Sequence, residues 1–227
     1  MDLKGRVREI DSRVQAACNR SNRKREDVEI IAVTKYVSLK TAKDAVEIGC
    51  KHIGENRWPD SEEKVNALSA KAQMHFIGHL QSKKVKHIVG RFPYVHSLDR
   101  MSLAEEIEKQ AILKDRYMNC LIQVNVSGEE SKYGISPDEL FKFAENLLQF
   151  KHINVIGLMT MAPFEEDPEK TRPVFRELRK LRDYLNEKQI FDHKISHLSM
   201  GMSNDFEIAI EEGATFIRLG SKLVGKE

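Results

Sequence analysis

The chain is poor in cysteine and has no long apolar run. Its 227 residues include three cysteines, Cys18, Cys50 and Cys120, and no C-x-x-C pair. An odd number at wide spacing argues against a disulfide framework or a zinc site and favours a reducing compartment. No stretch approaches the roughly 20 apolar residues of a membrane span, and residues 1–6 lack the apolar core of a signal peptide. We therefore expect a cytoplasmic protein without a membrane partner.

The chain also lacks an excess of charge of either sign. It has 37 basic and 35 acidic side chains, a formal net charge of +2 and no long basic block, so we expect no nucleic acid partner. The absence of G-x-S-x-G argues against an acyl-transfer serine. His75, His79, His87 and His96 lack the spacing of a metal site, and we interpret them as scattered structural or surface residues.

Strand-like and helix-like segments alternate along the chain. Apolar residues at helical spacing predict a first helix over residues 3–19. Short runs rich in β-branched and aromatic residues predict eight strands, at residues 29–35, 52–56, 74–78, 94–97, 121–126, 155–159, 195–199 and 216–219.

Charge-rich helical patterns separate most of these strands, which favours a parallel sheet covered by helices. Eight such units predict one α/β domain over residues 1–227, a (β/α)8 TIM barrel with an extra N-terminal helix. An open doubly wound sheet is the alternative, although G-x-G-x-x-G is absent after the first strand.

Functional residues of such a barrel collect where the strands end, and the first predicted strand ends at Lys35. An amine held on a rigid strand end can form a Schiff base with an aldehyde. A lysine at a solvated strand end, with no chemical role, is the simpler interpretation of this residue alone.

The loops after the last two strands are rich in small residues and hydroxyls. Ser199, Gly201 and Ser203 follow the seventh strand, and Gly220 and Ser221 follow the eighth. Glycine lets backbone N–H groups approach an anion, serine adds donors, and barrels often bind phosphate with these two loops. Together they predict an anion site. The simpler alternatives are an N-cap at Ser203 and a turn at Gly220.

Arg218, at the end of the eighth strand, would supply a fixed cation or a hydrogen-bond donor to a ring nitrogen or carboxylate. An ion pair with Glu207 or Glu211 is the structural alternative. A lysine, a phosphate site and a partner for a ring nitrogen are together what pyridoxal 5′-phosphate (PLP) requires of a protein. Asn56, at the end of the second strand, is a candidate contact to the ring.

Six short strings along the chain match the pattern of one known family in its order. They are AVTK at 32–35, GEN at 54–56, HFIGHLQ at 75–81, GLMTM at 157–161, LSMGMS at 198–203 and RLGS at 218–221. Through these strings the chain resembles the PLP homeostasis proteins, the YggS/PROSC family. Ser221 stands where threonine is common in that family, and it keeps the hydroxyl.

The resemblance implies a barrel similar to the N-terminal domain of bacterial alanine racemase. It implies PLP held as a Schiff base on Lys35 and an arginine, Arg218, near the pyridine nitrogen. It also implies phosphate contacts at Ser199, Ser203, Gly220 and Ser221. An arginine beside the ring does not favour a protonated ring, which makes the cofactor a weaker electron sink.

Two functions fit these residues. We expect a non-catalytic, monomeric carrier that acts in intracellular PLP homeostasis and supplies apo-enzymes. The alternative is an amino-acid racemase, which needs an acid or base on each face of the cofactor. Alanine racemase takes its second base, a tyrosine, from a C-terminal domain. We expect this chain to leave no room for that domain, so Tyr133 is the candidate substitute. A sugar-phosphate barrel without a Schiff base would use only the anion site.

Overall fold

Eight parallel strands form a closed barrel in the computed structural model, which describes residues 2–129, 132–225 and 227. The strands are β1 Glu29–Val33, β2 His52–Glu55, β3 Gln73–Phe76, β4 Tyr94–Leu98, β5 Met118–Gln123, β6 Ile153–Met159, β7 His197–Ser199 and β8 Phe216–Leu219. Each strand pairs with its neighbours in the sequence, and β8 pairs with β1. The predicted TIM barrel is confirmed, and the open doubly wound alternative is wrong.

Helices follow the strands and cover the outside of the barrel. Within the described residues they are α1 Leu3–Arg20, α2 Leu39–Glu47, α3 Glu62–Leu68, α4 Val85–Ile88, α5 Met101–Lys114, α6 Leu140–Leu147, α7 Arg172–Glu187, α8 Phe206–Glu211 and α9 Ser221–Val224. None of these helices combines the length and apolar character that crossing a membrane requires.

The first helix is the predicted addition to the barrel. Asp2 caps it by accepting a hydrogen bond from the Gly5 N–H at 2.8 Å. Its buried residues include Ile10, Val14 and Ala17, which lie on one face because they are three or four positions apart. This face packs against α8 and α9, so the helix covers the last segments of the barrel.

The inside of the barrel contains an unusual group of rings. Phe216, the first residue of β8, lies 5.9, 5.3, 5.7 and 4.6 Å from the ring centroids of His52, His75, His96 and His197. Apolar side chains buried with Phe216 are Ile31, Leu121 and Met159. The interpretation as scattered residues is therefore wrong for His75 and His96, which lie together with His52 and His197 in the barrel interior.

Candidate functional site

A pocket of about 910 Å³ opens where the carboxyl ends of the strands meet. Its walls include six of the seven predicted site residues, namely Lys35, Asn56, Ser203, Arg218, Gly220 and Ser221. Val33, Ile77 and Met161 add apolar surface. A concave, mainly apolar site of this size with a few polar groups is typical of cofactor binding.

Lys35 lies in a turn rather than in the first strand. Strand β1 ends at Val33, although the Thr34 N–H still donates to the Gly54 carbonyl at 3.1 Å. The Val37 N–H then donates to the Thr34 carbonyl and closes the turn that presents Lys35. The Lys35 side chain is exposed, with Nζ 4.8 Å from the centroid of the Tyr36 ring. The predicted strand was therefore two residues too long, and the amine is more accessible than expected.

A buried ion pair supports the backbone on both sides of the pocket entrance. Thr34 Oγ1 donates to Glu55 Oε1 at 2.6 Å, and Lys64 Nζ donates to the same oxygen at 3.2 Å and to the Thr34 carbonyl at 2.5 Å. We name these residues the Thr34–Glu55–Lys64 cluster. All three are buried. Because Thr34 and Glu55 directly precede Lys35 and Asn56, the cluster holds the two pocket residues in place.

Asn56 lies close to the loop after β3. A Cβ atom added at Gly78 would be 2.2 Å from the Asn56 carbonyl oxygen. The two backbone segments therefore approach more closely than any residue with a side chain permits. The loop after β7 has a similar requirement at Gly201, whose φ is +89° and whose added Cβ would be 2.5 Å from Ala209 Cβ. Glycine at these two positions lets the loops close around the pocket.

Arg218 is buried and held by two acceptors. Its Nη1 donates to Ser199 Oγ at 2.7 Å, and its Nη2 donates to the Thr160 carbonyl at 2.9 Å. Burial lowers the pKa of Arg218 to about 10, which leaves the guanidinium protonated at neutral pH. A guanidinium has five N–H donors, so others remain to face the pocket.

The alternative partners predicted for Arg218 are engaged elsewhere. Glu207 binds Arg13 at 3.1 Å, and Glu211 binds Arg20 at 2.7 Å. Both glutamates lie on α8, on the outside of the barrel, whereas Arg218 points inside. The structural ion-pair interpretation of Arg218 is therefore wrong.

Ser199 is the one predicted site residue outside the pocket wall. Its side chain is fully buried, and Oγ lies 2.8 Å from His96 Nδ1 as well as 2.7 Å from Arg218 Nη1. The last residue of β7 thus points into the barrel, beneath the guanidinium. The Ser199 hydroxyl thus supports Arg218, and the phosphate contact expected at Ser199 stays a prediction.

The other predicted anion residues keep their place. Ser203 lies in a turn before α8, which begins at Phe206 with Asp205 in the N-cap position, so the N-cap alternative for Ser203 is wrong. Gly220 precedes α9, and Ser221 is the first residue of that helix. Ser203 and Ser221 therefore line one pocket from the two loops that the barrel brings together.

The pocket wall also contains aromatic residues outside the predicted cofactor contacts, including Tyr133, the candidate second base of the racemase alternative. The His79 and Tyr133 rings stack with centroids 4.0 Å apart, and both line the pocket. His79 Nδ1 also lies 3.6 Å from Asp99 Oδ2. The exposed residues Tyr36 and Phe164 complete the rim.

Comparison with known proteins gives this geometry a family. Residues 7–227 match the family model described as alanine racemase, N-terminal domain. A pyridoxal phosphate homeostasis protein of Aquifex aeolicus is 42% identical over 97% of this chain and 96% of its own length. The chain belongs to the pyridoxal phosphate homeostasis protein family. A further relative of that name, from Haemophilus influenzae, is 31% identical over 99% of this chain and 96% of its own length.

Solved structures show the same fold for the family. PipY of Synechococcus elongatus PCC7942, solved with PLP bound, has a TM-score of 0.84 at 29% identity and covers 99% of this chain and 100% of its own. Alanine racemase of Clostridium difficile 630 has a TM-score of 0.78 at 14% identity and covers 97% of this chain and 56% of its own. The second likeness concerns the fold alone, and it matches the racemase-type barrel expected from the sequence.

Proposed function

We propose that this protein binds PLP in the pocket and acts in PLP homeostasis as a carrier rather than as an enzyme. The observation that carries the proposal is the lining of one pocket by an accessible lysine, a buried arginine and two hydroxyl-bearing loops. The names of its relatives and the PLP bound to PipY support the same assignment.

Each pocket residue has a role in this proposal. When bound, PLP supplies an aldehyde that condenses reversibly with an amine, with loss of water. Lys35 would hold the aldehyde carbon as a Schiff base. The hydroxyls of Ser203 and Ser221 and the backbone at Gly220 would bind the phosphate, and Asn56 would contact the ring.

Arg218 would face the ring nitrogen, and this choice of residue favours storage over catalysis. A protonated guanidinium donates hydrogen bonds and has no acceptor site for a further proton. A ring nitrogen beside it would stay unprotonated, which would weaken the ability of the ring to accept electrons from a bound amino acid. The residue therefore suits a protein that holds the cofactor without turning over amines.

Reduction of the bound cofactor tests the attachment at Lys35. The protein is incubated with PLP, its visible absorption is recorded, and borohydride then makes the link permanent for peptide mass spectrometry. We expect one phosphopyridoxyl group on Lys35, and its loss together with the visible band in Lys35→Ala. Lys40→Ala, an exposed residue on α2, is the matched control and should keep both signals. A wild-type protein without a band would contradict the proposal.

The stacked His79–Tyr133 pair favours amino-acid racemisation as a second candidate function. Both side chains reach the pocket and could move a proton at a bound amino acid. Holo-protein is incubated with L-alanine in D₂O, and α-proton exchange is followed by NMR. We expect no sustained exchange; exchange with turnover that disappears in Tyr133→Phe would establish the racemase instead.

We further propose that the bound PLP is passed to apo-enzymes. The test follows the activity of an apo-enzyme mixed with gel-filtered holo-protein, with Lys35→Ala protein treated in the same way as the control. Activation by the wild type alone is expected, and equal activation by both would show that free PLP was the donor. A monomeric state and a cytoplasmic location remain predictions from the sequence.

A further inference from the structure

A line of hydrogen-bonded side chains runs through the barrel interior. His52 Nδ1 lies 2.8 Å from His75 Nε2, His75 Nδ1 lies 2.8 Å from His96 Nε2, and His96 Nδ1 lies 2.8 Å from Ser199 Oγ. These four residues come from β2, β3, β4 and β7, and we name them the histidine chain. His75, His96 and Ser199 are fully buried, so water does not compete for these bonds.

The histidine chain connects the two ends of the barrel. At one end His52, the first residue of β2, has Nε2 3.6 Å from Oε2 of Glu29, the first residue of β1, whose side chain is 46% exposed. At the other end Ser199 accepts from Arg218, which lines the pocket. The chain therefore begins beneath the pocket and ends at the opposite face.

The hydrogen bonds of the histidine chain can all be satisfied in only one direction of proton donation. Arg218 has donors and no acceptor, so Ser199 Oγ must accept from it. In the described residues the other hydrogen-bond partner of that hydroxyl is His96 Nδ1, which must therefore accept the Ser199 proton. In the opposite direction the hydroxyl proton would be buried without an acceptor.

This first assignment decides the rest of the histidine chain. If His96 Nδ1 accepts, its proton is on Nε2 and is donated to His75 Nδ1. By the same step His75 carries its proton on Nε2 and donates to His52 Nδ1. All three rings are then neutral, and every N–H points away from the pocket.

The surroundings of the rings favour the neutral form. Burial holds the pKa of His75 and of His96 well below the ordinary value, and the charge of Arg218 acts on His96 in the same direction. His75 is further enclosed by the Tyr94 ring, which stacks on it with centroids 4.3 Å apart. A proton added to the chain would be buried beside a guanidinium.

We propose that the histidine chain is a positioning device for Arg218: three neutral Nε2–H rings fix the Ser199 hydroxyl as an acceptor, which holds the guanidinium toward the ring nitrogen of a bound cofactor. The inference rests on the proposed function for the role of Arg218. The histidine chain also bars proton delivery to the pocket, because every link would have to reverse and Arg218, which donates to its last member, cannot accept a proton.

Histidine tautomers measured in the ligand-free protein test the inference directly. Two-dimensional long-range ¹H–¹⁵N spectra of histidine-labelled protein at about pH 7 report which ring nitrogen carries the proton. We expect His52, His75 and His96 each to show a protonated Nε2 and an unprotonated Nδ1. A doubly protonated ring, or an Nδ1–H tautomer at His75 or His96, would overturn the proposal. This result does not depend on PLP binding.

Ser199→Ala tests whether the histidine chain positions Arg218. The matched control is Ser97→Ala, which removes another fully buried serine hydroxyl whose oxygen has no hydrogen-bond partner among the described residues. We expect Ser199→Ala to move the His96 ring signals and to weaken PLP binding by roughly tenfold, as the loss of one hydrogen bond to a charged group does. The pH dependence of the visible band should also change.

The outcomes separate this inference from the proposed function. If Ser199→Ala and Ser97→Ala bind PLP equally and leave the band unchanged, the positioning role is wrong while PLP binding stands. If wild-type protein shows no band, the proposed function fails, and the role of Arg218 toward a ring nitrogen fails with it. Ser199→Thr, which restores a hydroxyl, should recover part of the lost affinity if the variant retains the wild-type circular dichroism spectrum.

Discussion

Two sets of buried polar side chains lie under the pocket, and they pair their hydrogen-bond donors and acceptors in different ways. The Thr34–Glu55–Lys64 cluster pairs opposite charges between the barrel and α3. The histidine chain uses neutral rings inside the barrel and pairs each donor with an acceptor. The first group holds the backbone beside Lys35 and Asn56, and the second holds the side chain of Arg218. Arg218 thus lies above a neutral hydroxyl and neutral rings, which add no positive charge beside its guanidinium.

The largest effect is expected from breaking the charged group. Lys64→Met removes one partner of a buried ion pair and leaves the Glu55 carboxylate without its counter-charge, which typically costs about 3–5 kcal/mol. Urea unfolding followed by circular dichroism measures the change. Glu55→Gln/Lys64→Met, which removes both charges, is the control and should lose less. A single variant as stable as wild type would show that the ion pair contributes nothing.

A smaller and pH-dependent effect is expected from the neutral group. Burial lowers the pKa of His75 and His96 in the folded protein, while the unfolded chain takes up protons below about pH 6.5. The unfolded state therefore binds more protons, and stability falls as the pH drops below about 6.5, by about 1.4 kcal/mol per histidine for each pH unit. Urea unfolding at several pH values between 7 and 5 measures this slope.

The surroundings of these rings determine how the slope is interpreted. His52, His197 and Arg218 face His75 or His96 and add to the lowering of their pKa, and the pKa of His193 is raised by Asp192 on the protein surface. His193→Gln is thus a control that should leave the acid-side loss in place. A stability that stays constant down to pH 5 would mean that the buried rings are protonated in the folded state.

The smallest effect is expected at the exposed end of the histidine chain. Glu29→Gln removes the carboxylate near His52, but this side chain is 46% exposed and the two atoms are 3.6 Å apart. We expect a change under about 0.5 kcal/mol in urea unfolding and unaltered tautomers at His75 and His96. A loss of unfolding free energy above about 1 kcal/mol would show that Glu29, and not Arg218, holds the histidine chain in place.

The barrel could be predicted from the sequence because its strands and helices follow local patterns. Each strand is a short apolar run, and each predicted position overlaps the observed strand. The prediction failed at the ends of elements, as at Lys35, because the hydrogen bonds that end β1 come from Gly54 and Val37 and not from the run itself. Gathering Lys35, Ser203 and Arg218 in one pocket needed only the rule that strand ends of a barrel share a face.

The histidine chain could not be predicted in the same way. Its members are 21 to 103 residues apart, and no short motif connects them. The signal present was a histidine inside three successive apolar strand runs, at His52, His75 and His96. To predict the contacts from that signal, one must also know the register between the strands. In this register His52 pairs with Gln73, and His75 pairs with Tyr94. The contact between Ser199 and Arg218 could not be predicted for the same reason, since only the closed barrel shows which way the Ser199 side chain points.

The sequence by itself determined the alternation of strands and helices, the family and the chemical types of the pocket residues, because these depend on local spacing and on short strings. Only the tertiary structure decided that Ser199 supports Arg218 from below and that three histidines form one line. It also decided that Thr34 and Glu55, which precede Lys35 and Asn56, form one buried cluster with Lys64. These contacts depend on the register of eight strands closed into a barrel, a long-range property that no local pattern contains.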